Sequence, residues 1–140
     1  MKVIFSILLV IMASCSNQND GDIDLKNNRQ TWKLVKMTSS WQNSETTGAD
    51  MPWQETIQLI NGIFEKVRVE NGKTSKISGR YEFSEESDGR YLILIFNEPN
   101  PIIGNCTGDL NEYYRIQSDK VLQGSWMACD GPGLEYQLIN

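Results

Sequence analysis

Histidine is absent from the 140 residues, and with it go the Ser-His-Asp and Cys-His catalytic arrangements and any imidazole-based zinc site. GxSxG, SxxK, the P-loop and GxGxxG are also missing, which removes the usual handles of hydrolases and nucleotide-binding enzymes. The 13 basic residues are outnumbered by 18 acidic ones and form no cluster, so nucleic acid is not an expected partner. No apolar run reaches the roughly 20 residues of a spanning helix, and no segment has convincing helical spacing. The three cysteines include no CxxC pair, the spacing expected of a redox or zinc motif. Neither an enzyme, a cofactor nor a metal site is expected from what remains, and carboxylates are the one resource left for acid/base work.

What is present begins with an address. Met1-Lys2 is a minimal positive start, and Val3 to Ala13 is apolar except for Ser6, which reads as the h-region of a secretory signal. Met12-Ala13-Ser14-Cys15 resembles a lipobox, although Met12 stands where Leu is typical. The alternative is an ordinary signal peptide with a chance cysteine. The resemblance implies cleavage before Cys15 and acylation of that residue, and each buried methylene of an acyl chain contributes about 0.8 kcal/mol to membrane attachment. Residues 1–14 are then a lipoprotein signal, 15–29 the lipidated cysteine with a polar tether, and 30–140 one domain. Without Lys2 the chain has 12 basic against 18 acidic residues, a net charge of −6, so membrane contact is expected from Cys15 alone. Ser16 resembles an outer-membrane sorting signal, and the acidic stretch after it resembles a surface-export signal. The expected location is the bacterial cell envelope, as an outer-membrane lipoprotein.

From Thr31 onward the apolar residues recur with period two, and the breaks carry turn chemistry. Strands are predicted at about 31–37, 55–60, 63–69, 74–83, 90–96, 112–117, 120–127 and 134–139. Asn61-Gly62 and Asn71-Gly72 are strong hairpin signals, because both central residues of a type I′ turn take positive φ. Eight consecutive antiparallel strands point to an all-β up-and-down meander closed into a barrel, with a two-sheet sandwich as the alternative. In a meander successive connections alternate between the two ends. The short connections at 61–62, 84–89 and 118–119 therefore form a floor, and the long ones at 38–54, 97–111 and 128–133 share a mouth with the tight Asn71-Gly72 turn.

The remaining cysteines fit that geometry. A hairpin turning at 118–119 places Cys106 opposite a position near 131, two residues from Cys129. In an oxidising compartment the pair reads as a disulfide; a catalytic or metal-binding thiol pair is the rival reading, with no histidine to support it.

The stretch Gln30-Thr31-Trp32-Lys33-Leu34-Val35 resembles the G-x-W opening of lipocalins and of bacterial lipocalin-like lipoproteins, with Gln30 in place of the glycine. WQET at 53–56, SGRYEF at 78–83 and CDGPGLEY at 129–136 are similar to uncharacterised envelope lipoproteins of that broad group. The resemblance implies a lipocalin-like barrel, a packing role near the floor for Trp32, and a cavity for a small apolar or amphipathic ligand.

Strand ends predict that Ile57, Val67, Val69, Ile77, Leu94, Phe96, Tyr114, Trp126 and Tyr136 lie nearest the mouth. Trp41 and Trp53 stand on the long first loop, where they either close over a ligand as a lid or simply cap the core. The candidate ligand residues are Trp41, Trp53, Phe96, Tyr114, Trp126 and Tyr136. An eight-stranded barrel can equally be filled by its own side chains, so a second reading stands beside the first: an interaction or inhibitor module that grips another envelope protein. YLILIF at 91–96 is apolar on both faces, so its outer face must meet the tether, a partner or another copy. The hairpin arithmetic also brings Asp109, Glu112 and Asp130 near the disulfide, as a solvated acidic rim or, alternatively, a rim that binds calcium or a cationic partner.

Overall fold

In the computed structural model, residues 29–39 and 44–140 are described. Cys15 and Trp41 lie outside them. Nine strands run in chain order: β1 (Gln30–Thr38), β2 (Glu45–Thr47), β3 (Trp53–Ile60), β4 (Ile63–Glu70), β5 (Lys73–Glu86), β6 (Gly89–Phe96), β7 (Asn111–Ser118), β8 (Val121–Gly124) and β9 (Gly133–Leu138). Apart from β2, each pairs antiparallel with the next, and β1 also pairs with β9, so eight strands close a meander barrel. The small β2 is an addition, hydrogen-bonded only to the mouth end of β1.

Turn chemistry sets the register. Asn61 and Gly62 take φ 50° and 82°, and Asn71 and Gly72 take 51° and 74°, the left-handed pair that a two-residue hairpin needs. The first turn aligns Leu59 with Phe64, Ile57 with Lys66 and Glu55 with Arg68. β5 is long because it turns the barrel's corner. Its first half pairs with β4 and its second with β6, and Gly79 lies opposite both Phe64 and Phe96. A Cβ on Gly79 would strike the Ile95 carbonyl and the Phe64 ring, so the missing side chain lets those rings meet edge to face at 4.9 Å.

The long connections lie on one rim and the tight turns at 61–62, 87–88 and 119–120 on the other. Trp32 is buried near the floor, as expected, with its indole Nε1 donating to Gln30 Oε1 at 3.0 Å. Gln30 thus satisfies the indole donor of Trp32, two residues along the strand.

Three expectations are corrected. Val67 and Val69, expected among the large residues nearest the mouth that could plug the barrel, do not point into it: Phe64, buried inside the barrel, fixes the parity of β4, so Lys66 and Arg68 face in and Val69 is exposed. The seventh strand of the meander stops at Gly124, and Trp126 lies on a 3-10 turn at Trp126–Cys129 rather than at a strand end. Glu112 is not part of a solvated rim: it is buried, whereas Asp109 and Asp130 are exposed.

Candidate functional site

The inward parity of β4 brings two cations into the barrel, and β3 and β7 supply two carboxylates. Lys66 Nζ donates to both oxygens of Glu112, at 2.7 and 2.9 Å, and lies 3.2 Å from Glu55 Oε1. Arg68 Nε donates to Glu55 Oε2 at 2.6 Å. The phenols of Tyr136 and Tyr114 donate to Glu55 and Glu112 respectively. Burial, reinforced by the neighbouring carboxylates, holds both phenols well above the ordinary tyrosine pKa. Buried ions are tolerable only when paired and hydrogen-bonded, and here two of each sign satisfy one another.

The same network fastens the loop between β6 and β7. The Ile102 carbonyl accepts from Lys66 at 3.1 Å and from Arg68 at 3.2 Å, and the Gly104 amide donates to Glu112. Ile102 is thereby drawn into the core, 5% exposed. Phe96, Tyr114 and Tyr136 are equally enclosed: Phe96 packs on Phe64, and the two tyrosines meet edge to face at 5.4 Å. These three expected ligand residues are interior packing.

Trp53 and Trp126 come together elsewhere. β1 pairs with β3 only over residues 30–33 and 56–59; beyond a bulge at Leu34/Lys36 it carries β2 instead. The sheet therefore parts at the mouth. A cleft of about 450 Å³ lies there, lined by Met37 and Thr38 of β1, Thr46 of β2, Pro52 and Trp53, and Trp126 and Pro132 from the far loop. Arg68 lies 4.3 Å from the Trp53 ring centre, a cation–π contact that ties the cleft wall to the buried network. Trp126 is seated between Gly104 and Gly131, where a Cβ on either would collide with its ring. The Cys106–Cys129 disulfide, with Cα atoms 5.5 Å apart, fastens the two loops that carry those glycines.

A second depression of about 450 Å³ lies on the outer face of β6 and β7, lined by Tyr91, Ile93, Tyr113, Ala128 and Cys106 among others. It belongs to the strand whose sequence is apolar on both faces. Among the described residues, no group of three or more carboxylates and cysteines is placed to hold a metal ion, and no helix is long and apolar enough to cross a membrane.

Glu55, Lys66 and Arg68 were not among the sequence candidates. The signal was present: once Asn61-Gly62 is the turn, positions summing to 123 face each other, and Phe64 inside forces Lys66 and Arg68 inside, with Glu55 opposite Arg68. Charged residues on alternate strand positions usually mark the solvent face, which hides this signal. In comparisons with family models, curated proteins and solved structures, nothing matches this chain.

Proposed function

We propose that the protein is a membrane-anchored envelope lipoprotein of lipocalin-like type that binds a small apolar or amphipathic molecule in the mouth cleft between Trp53 and Trp126. The observation that carries this reading is the apolar cleft itself, about 450 Å³, set above a barrel segment occupied by its own ion-paired side chains. Ligand pockets are commonly lined by apolar and aromatic groups at this scale, and two rigid indoles supply contact area at low entropic cost. Anchorage rests on Cys15 within the lipobox-like MASC, and the resemblance of Ser16 to an outer-membrane sorting signal supports that location. Native mass spectrometry of the protein, intact and then denatured, tests the reading. A small-molecule adduct lost in Trp53→Ala and Trp126→Ala, with the fold retained, supports it; an identical adduct in both variants, or none in the parent protein, overturns it.

The groove over Tyr91, Ile93 and Tyr113 favours a second reading, an interaction module for another envelope protein. A photo-crosslinking residue at Ile93 should then capture one reproducible partner in intact cells; repeated capture of nothing would remove this alternative.

A further inference from the structure

A second opening lies at the mouth, where β4 and β5 meet the loop after β6. The Asn71-Gly72 hairpin sets Ser75 opposite Arg68 and Lys73 opposite Glu70. Residues directly opposed on antiparallel strands share a face, so these four continue the inward face of the barrel to its rim. With Lys76, Asn100 and Ile102 they line a pocket of about 440 Å³. None of the residues that line the apolar cleft lines this one.

Arg68 supplies a buried donor to it. The residue is 5% exposed, and a guanidinium carries five N–H groups. Nε is bonded to Glu55 and Nη2 to the Ile102 carbonyl, whereas Nη1 has no partner among the described residues. Among those residues Trp53 Nε1 alone is both fully buried and unpaired as a side-chain nitrogen or oxygen. Nη1, being unpaired too, is therefore not sealed off by protein, and the opening that Arg68 lines is this pocket.

The other groups in the wall are mostly donors. Lys73 is exposed and in no ion pair among the described residues. Asn100 uses its Oδ1 to accept from the Ile102 amide, which leaves its NH₂ group to donate. Lys76 is held by Glu65 at 2.8 Å, and the one carboxylate in the wall, Glu70, is exposed. Donors in excess of acceptors, with an enclosed guanidinium among them, match an anionic oxygen, the acceptor that makes the strongest hydrogen bonds with such groups. We propose that this pocket binds a small oxyanion, a phosphate or carboxylate group, with Arg68 Nη1 donating from inside and Lys73 from the rim.

The test titrates ¹⁵N-labelled protein with inorganic phosphate and, separately, with acetate, replacing chloride at constant ionic strength. The Arg68 Nε–H resonance and the Ser75 and Ile102 amides should shift together and saturate. Lys73→Gln should weaken binding about two- to fivefold, as expected of an exposed charge. Arg68→Lys keeps a cation for Glu55 but has no second nitrogen to present, and should weaken it about tenfold or more. Lys120→Gln, an exposed lysine at the opposite rim, should change nothing. The tighter of the two anions names the head group. Binding of neither anion, shifts that do not saturate, or affinity undiminished in Lys73→Gln would each overturn the proposal. If Arg68→Lys does not fold, Lys73→Gln and Lys120→Gln still decide it. Because the two openings share no lining residue, failure here leaves the reading of the apolar cleft intact.

Discussion

Lys66 Nζ sits 2.7 Å from Glu112 Oε1 inside the barrel, across 46 positions of sequence, with both side chains essentially shut off from solvent. Removing one member of a buried pair strands the other, at a cost of about 3–5 kcal/mol. Lys66→Met should therefore lower the denaturant midpoint steeply, and Glu112→Gln, which keeps an acceptor, should do so less. In a double-mutant cycle the loss for Lys66→Met with Glu112→Leu should fall well short of the summed single losses. Additive losses would mean that the two residues do not act as a pair.

The same interior predicts an alkaline limit. Tyr114 and Tyr136 ionise in the unfolded chain near the ordinary value of 10.0, but in the fold they hold their protons well above it. The folded state then binds more protons than the unfolded one above about pH 10, so this contribution is fully present below that pH and is lost as pH rises through the folded pKa. Each phenol should cost roughly a tenfold fall in the folding constant per pH unit in that window. Phenolate absorbance should show these two tyrosines ionising only as the protein unfolds, and their free titration in folded protein would refute the burial argument.

Reduction of Cys106–Cys129, which closes a loop with a sequence separation of 23, should cost about 3 kcal/mol on the chain-entropy account. The two loops it fastens also seat Trp126 between Gly104 and Gly131. Cys106→Ala with Cys129→Ala should therefore weaken any ligand bound in the mouth cleft as well as lowering the melting temperature. A stability loss with unchanged affinity would separate the disulfide from the cleft.

Gly79→Val should be among the most damaging substitutions in the chain. Its side chain would meet the Ile95 carbonyl and the Phe64 ring at the barrel's corner, where overpacking costs about 1–3 kcal/mol or more. Thermal unfolding of this variant, compared with Ser78→Val at the exposed neighbouring position of the same strand, checks that the loss comes from the corner and not from a valine in β5 in general.

Anchorage has its own measurement. With Cys15 acylated as proposed, Cys15→Ser should move the protein from the membrane fraction to the soluble fraction, because two or three acyl chains are what hold a lipoprotein to the bilayer. Retention in the membrane fraction would show that something other than acylation attaches it.

Strand order, the two-rim division and the disulfide were legible in the sequence because each depends on local or nearly local rules. Asn-Gly pairs dictate turns, period two dictates faces, and a meander leaves only one partner for each edge. The destination of Trp126 was not legible, since the strand before it ends at Gly124 and the 3-10 turn follows. Nor was the burial of Glu112, whose single charge between polar neighbours looks like any exposed carboxylate until Lys66 arrives from another hairpin.

The sequence by itself determined the barrel, its register at Asn61-Gly62, and which loops share a rim, because hydrogen bonding between neighbouring strands needs only the order of apolar and turn residues. Only the tertiary structure decided what the barrel contains and where a molecule could enter it. Closure of β1 on β9 packs the inward residues of β3, β4 and β7 into one volume, so Glu55, Lys66, Arg68 and Glu112 must neutralise one another there, and the parting of β1 from β3 leaves Trp53 and Trp126 facing a cleft that no single stretch of chain encodes.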